Sequence, residues 1–256
     1  MIASFFTLAA LLALPRGHAQ ETGPANTPPE AGDPVARGIV ERADLIRFPS
    51  GGFQVDVAIA TTLSGQEAEP RKYRVLSKGN GNTVVMVTEP ASERGQIILM
   101  KNRDLWVFMP DVSQPIRIAL SQRLTGQVAN GDLARANFAG DYAPRLLRAE
   151  TIGSETYNVL ELNAVDRGVT YQKVIYWVGQ KNDRPYKAEF YSLSNRLLKT
   201  CKYENYRPME GRERPTRLIM EDAMKNGEQS VLEYENMKPR DLPDKIFTKD
   251  YLKKLE

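Results

Sequence analysis

The chain has 256 residues, with 35 Lys and Arg against 32 Asp and Glu, a formal net charge of +3, one cysteine and one histidine. The charges are interspersed and form no dense basic block, which argues against a nucleic-acid partner. A lone Cys201 excludes an intramolecular disulfide, so the fold must rest on packing, and a small buried apolar role suits it better than a reactive thiol.

Residues 1–14 carry no charged side chain and run through Ile2, Phe5, Phe6 and Leu8 to Leu14, with Gly17 and Ala19 preceding Gln20. That is the pattern of a secretory signal, too short for a membrane span of roughly 20 residues. Residues 1–19 are therefore expected to be cleaved and the mature protein to be periplasmic. Residues 20–36 are Pro-rich, with Pro24, Pro28, Pro29 and Pro34, and predict a disordered lead-in. Asp33-Pro34 reads as an N-cap and first helical position, and Ile39, Ala43 and Ile46 lie on one face of a short helix. Phe48-Pro49-Ser50-Gly51-Gly52 ends it.

Strands follow. Phe53, Val55, Val57 and Ile59 alternate with Gln54, Asp56, Ala58 and Ala60, a period of two. Tyr73 and Val75 alternate with charged neighbours, Gly79 to Asn82 signals a hairpin, and Thr83–Thr88 is its return. Gln96–Met100 and Leu105–Met109 form the next pair, with Pro115–Leu120 one more short strand. Between Leu120 and Tyr142 the alternation stops, and Asn130–Phe138 reads as loop and short helix. Strands are then predicted at 146–152, 157–165, 170–178, 186–193, 197–206, 215–224 and 230–236, with a last helix capped by Thr248 at 249–255. Residues 37–256 make one mainly β (α+β) domain, a curved antiparallel sheet that must close or cover its edges.

The chemistry is conspicuous by what it lacks. The single histidine, His18, lies in the expected signal, which removes His-based nucleophilic machinery and the usual zinc sets. No nucleophile elbow, P-loop or zincin motif is present. No catalytic residue, metal ligand or cofactor is therefore expected. Asp132 and Asp141 in the irregular segment read as caps and loop hydrogen bonds rather than an acid/base pair.

Leu105-Trp106-Val107-Phe108 is apolar on both faces. It is either a central core strand or a strand with one face in a ligand cavity. Leu133, Phe138 and Tyr142 likewise either tuck into the core or form a lid.

The run from Leu105 to Pro110, Arg117-Ile118, Gly126 to Leu133, Ala139-Gly140-Asp141-Tyr142, Tyr203-Glu204-Asn205-Tyr206 and Leu242-Pro243-x-x-Ile246-Phe247-Thr248 resemble the LolA-like outer-membrane lipoprotein-sorting proteins. The resemblance covers the chain from about Pro34 onward. It implies an incomplete β-barrel with short helices covering its mouth and an acyl-chain cavity inside. It also implies a periplasmic carrier that takes a lipoprotein or lipid from an inner-membrane transporter to an outer-membrane acceptor. The signal region holds no cysteine for lipidation, which favours a freely diffusing monomer. On this reading Phe53, Val55, Val57, Trp106, Phe108, Leu133, Phe138 and Tyr142 line the cavity or its lid. The rival readings are a non-transporting periplasmic interaction module serving an RND- or MMPL-type export system, and a carboxylate-dependent enzyme.

Overall fold

The computed structural model describes residues 33–79, 81–135 and 137–252. The expected signal peptide (1–19) and most of the expected lead-in lie outside these. Pro34, Val35 and Ala36, placed in the lead-in from sequence, form the first turn of helix α1 (Pro34–Arg47). Asp33 caps it, its carboxylate accepting from Val35 N at 2.9 Å.

The first group of strands is β1 (Phe53–Leu63), β2 (Gln66–Glu67), β3 (Arg71–Lys78), β4 (Asn82–Glu89), β5 (Ile97–Lys101), β6 (Asp104–Phe108) and β7 (Ile116–Ile118). A small hairpin, β8 (Arg123–Thr125) and β9 (Val128–Ala129), leads into α2 (Asn130–Ala134) and α3 (Phe138–Asp141). The second group is β10 (Tyr142–Ile152), β11 (Glu155–Ala164), β12 (Lys173–Gly179), β13 (Pro185–Tyr191), β14 (Leu197–Met209), β15 (Arg212–Asp222) and β16 (Gln229–Pro239). A 3₁₀ turn at Asp244–Phe247 and α4 (Lys249–Leu252) end the described chain.

All the large strands join one antiparallel sheet in the order β10 to β16, then β1, β3, β4, β5, β6, β7, with β2 beside β1. Each group is a meander, and the seam between them is β1 against β16, where Val57 pairs with Tyr234. The outer edges, β7 and β10, do not pair, so the barrel is incomplete. The segment from β8 to α3 connects those two edges and crosses the opening. It is pressed onto the seam: Gly126, at φ 49°, leaves no room for a Cβ between Thr61 and Ser230, and Gln127 N donates to Ser230 Oγ at 2.9 Å.

Strand β10 begins at Tyr142, four residues before its expected start, and contains Pro144. Proline lacks the N–H for a second ladder, and an edge strand needs only one. The short β8 and β9 were not expected at all.

Packing divides into two layers. Inward residues of the sheet and one face of α1 (Ala36, Ile39, Val40, Ala43) form the main core. On the other face of β4 to β6, Val84, Leu99 and Phe108 pack under the C-terminal Leu242, Phe247 and Leu252. Cys201 is fully buried in the main core, where burial pushes its thiol up to about 12.

Candidate functional site

Helix α1 packs against β10, β12, β13 and β15, inside the second half of the sheet. It does not fill the first half. Between α1, the α2–α3 segment and strands β1, β3, β4 and β5 lies a cavity of about 520 Å³. Its floor is Phe53, Val55, Val75 and Met100, the inward positions that the period of two places on the concave face. Leu133 and Ala134 from α2 form one wall. Opposite them stand Arg37, Glu41, Asp44, Leu45 and Phe48, one stripe of α1 and its C-terminal cap at spacings of three and four. Phe48 stacks on Phe53, with ring centroids 5.7 Å apart, and closes one end with Tyr234.

The polar groups on the floor are satisfied by register. Ser77 and Thr83 are cross-strand partners whose hydroxyls lie 3.1 Å apart. Along the upper wall α3 is fastened to α1 through one residue: Ala139 N donates to Asp44 Oδ2 at 2.9 Å, and Arg37 Nη1 donates to Ala139 O at 2.8 Å. Burial pushes the Asp44 carboxyl up to about 7, with the nearby Arg47 guanidinium and the backbone N–H of Ala139 pulling the other way. Asp44 Oδ1 and Arg47 Nη1, 3.6 Å apart, have no hydrogen-bond partner, and neither does Tyr234 OH.

Both loop carboxylates are held by the surrounding fold. Asp141 takes Arg103 Nε at 3.0 Å and Arg135 Nη2 at 2.7 Å, while Arg135 also reaches Asn102 O at 2.7 Å. Asp132 closes the start of α2 by accepting from Ala129 N at 2.8 Å, and accepts the Tyr171 hydroxyl at 2.6 Å. The α2–α3 segment is thus cross-linked to three surrounding elements, not a loosely held lid. Among the described residues no group of three His, Cys, Asp or Glu side chains comes together as a metal site.

The residues singled out from sequence divide into three places. Phe53, Val55 and Leu133 line the cavity. Val57 is buried beyond it in the main core. Phe138 and Tyr142 lie on the far side of α1, their rings 5.5 Å apart, with Tyr176 5.3 Å from Phe138 and the Arg47 guanidinium 4.3 Å from its centroid. Trp106 and Phe108 are on the opposite face of the sheet. Leu105 and Val107 point into the main core, so strict alternation turns Trp106 and Phe108 outward, where Ile246, Phe247, Tyr251 and Leu252 roof them. Trp106 there lies under Lys249 Nζ at 4.1 Å. The expected meeting of Trp106 and Phe108 with the 133–142 segment at a cavity mouth does not occur.

Sequence reasoning missed Val75 and Met100 as lining residues, although their alternation was visible. It also missed the α1 stripe, because attention to the apolar face at Ile39 and Ala43 passed over the mixed face at Arg37, Glu41 and Asp44. Ile46 is only half-buried, and Arg47 takes the deep position instead.

A family model described as “Uncharacterized protein” matches residues 79–254. No curated protein matches the chain. Among solved structures, the LolA superfamily protein NE2245 from Nitrosomonas europaea is 68% identical, with a TM-score of 0.81, covering 84% of this chain and 98% of that one. A DUF1329 family protein from Desulfovibrio piger is 19% identical with a TM-score of 0.74, over 85% of this chain and 98% of its own. A domain from Vibrio parahaemolyticus assigned to outer membrane lipoprotein sorting is 21% identical with a TM-score of 0.74, over 86% and 98%. The last two show the shared fold.

Proposed function

The chain belongs to the LolA superfamily, and from that premise we propose that it is a periplasmic carrier. It binds acyl chains of a lipoprotein or lipid in the cavity beside α1 and moves them between inner and outer membrane without catalytic chemistry. The observation that carries this reading is the space of about 520 Å³ left open over an apolar floor. An acyl chain of about fifteen methylenes costs roughly 12 kcal/mol to expose to water, at about 0.8 kcal/mol per CH₂. A cavity walled by Phe53, Val55, Val75 and Leu133 removes most of that cost by burial alone. The carrier needs a donor and an acceptor, an inner-membrane transporter and an outer-membrane receptor in this reading.

Native mass spectrometry of protein purified from a Gram-negative periplasm tests the proposal. A co-purifying lipid mass, or uptake of an added acyl ligand that Val55→Trp prevents, is the expected result. Protein that carries nothing and takes up no acyl ligand would overturn it. A non-transporting module attached to an export system has no need of an open apolar cavity, which favours the carrier over it.

A further inference from the structure

We infer that Asp44 puts cargo binding under pH control: the cavity takes up an acyl chain while this carboxyl is protonated and releases it as the carboxyl ionises. This rests on the carrier reading and adds a control to it.

Two carboxylates line the cavity, both from α1 and nearly one helical turn apart. Glu41 is exposed to solvent, whereas the Asp44 side chain is only 11% exposed. The two Asp44 oxygens are unequal. Oδ2 accepts from Ala139 N at 2.9 Å. Oδ1 is buried and has no hydrogen-bond partner, and the nearest cation, Arg47 Nη1, stands 3.6 Å away, beyond hydrogen-bonding range. An ionised carboxylate has room for about four hydrogen bonds and is costly to bury without them. The protonated form carries no charge and escapes most of that cost. Burial is accordingly the main influence on this carboxyl, and it favours the proton.

The elements around Asp44 do little to offset that burial. Strands β1, β3, β4 and β5 contribute no ionisable side chain to the cavity wall. From the α2–α3 segment come Asp141, whose charge opposes a second carboxylate, and Arg135, which is paired with Asp141. On α1, Arg37 donates to Ala139 O and Arg42 pairs with Asp183. Arg214 of β15 donates to the carbonyls of Leu45 and Ile46, at 2.7 and 3.1 Å. On the packed side Tyr176, Tyr203 and Tyr234 gather around Arg47, the cation that favours the ionised form. An acyl chain in the cavity replaces the solvent that still reaches Asp44 with hydrocarbon. That penalises the ionised form and hardly touches the neutral one. Cargo therefore binds more tightly to the protonated protein, and by reciprocity it draws a proton onto Asp44. Affinity is thus full in mild acid and falls as pH rises through about 7, by up to about tenfold per pH unit for one proton.

The test is isothermal titration calorimetry of the purified mature protein with monolauroylglycerol, a neutral acyl ligand whose head does not titrate. Affinity should fall about tenfold between pH 6 and pH 8. Near pH 7, titrations in phosphate and in Tris, buffers that differ in heat of ionisation, should show net proton uptake on binding. That measurement needs no variant. Asp44→Asn is neutral at every pH and keeps an oxygen for Ala139 N, so its affinity at pH 8 should match that of the parent at pH 6 to within about twofold. Glu41→Gln should retain the pH dependence of the parent, because Glu41 is already in solvent. Equal parent affinity at pH 6 and pH 8, tighter binding at pH 8, or no proton uptake near pH 7 would overturn control by Asp44 and leave the carrier intact. So would a pH dependence that survives Asp44→Asn or disappears in Glu41→Gln. Absence of binding at both pH values would overturn the carrier reading itself.

Discussion

The two halves of this sheet follow the same alternation and end up with different interiors. In the second half, the inward residues are large: Tyr142, Tyr176, Phe190 and Tyr203 are all buried, and α1 lays Ile39, Val40 and Ala43 across them. The void left beside Arg47 and Phe138 there is about 20 Å³, room for about one water molecule. In the first half Val55, Val75, Ser77, Thr83 and Met100, smaller side chains on the concave face, are buried yet border a cavity of about 520 Å³. Strand periodicity determines which side chains face inward, but side-chain volume and the placement of one helix determine whether the interior is packed or hollow.

That contrast can be broken most forcefully in the packed half. Phe190, 1% exposed and with its ring 4.2 Å from that of Tyr171, has no space to collapse into. Phe190→Ala should cost about 3–5 kcal/mol in a urea titration and leave acyl binding per folded molecule unchanged. A loss under about 1 kcal/mol would mean that this half is as loosely filled as the other.

The boundary between the halves should respond to pH. Asp44 in the folded protein is raised from 3.8 to about 7, so between those values the folded state holds a proton that the unfolded chain gives up. The stability from its neutral form is complete below about pH 4 and is lost as pH rises through about 7. Asp44→Asn, neutral at every pH, should match the parent near pH 4 and exceed it by about 1–3 kcal/mol near pH 8. Equal stability of the two at both pH values would show that Asp44 stays ionised in the fold.

In the hollow half an enlargement should be tolerated. Val75→Phe places a ring in open space, so it should cost less than about 1 kcal/mol where overpacking usually costs about 1–3. It should also block acyl uptake. A large destabilisation with uptake preserved would mean that the cavity lies elsewhere. The smallest effect is expected outside the barrel. Trp106→Phe weakens a contact with Lys249 that is worth about 0.5–1 kcal/mol in full, and should leave acyl binding alone. Loss of binding in that variant would return Trp106 to the ligand site.

Much of the fold was readable because its signals are local. Asp33-Pro34 starts α1 where an N-cap and a first-turn proline say it should, and the strand from Phe53 follows its period of two. Pro144 misled because a proline usually ends a strand, and only the unpaired position of β10 at the sheet edge makes it harmless. The cavity lining was half legible: Phe53, Val55 and Leu133, expected from alternation and from apolar side chains in a polar segment, do border it. Trp106 and Phe108 were placed in the cavity because their cover, Phe247 and Leu252, comes from the far end of the chain. Phe138 and Tyr142 belong to the packed half for a similar reason: Tyr176 and Arg47, which enclose them, come from distant segments.

The seam between the halves also bears on how the molecule assembles. Strand β1, the first made, pairs along one edge with β2 and β3 and along the other with β16, the last strand of the sheet. Closing that ladder brings together residues such as Phe53 and Pro239, far apart in sequence, and loops of that length make folding slow. A polypeptide produced from its N-terminus can fold β1, β3 and β4 as a small meander, but one flank of β1 stays exposed until β16 arrives. The end of the cavity that Tyr234 closes is therefore completed only when β16 has arrived. Until then the exposed edge of β1 is a template for mispairing with another chain.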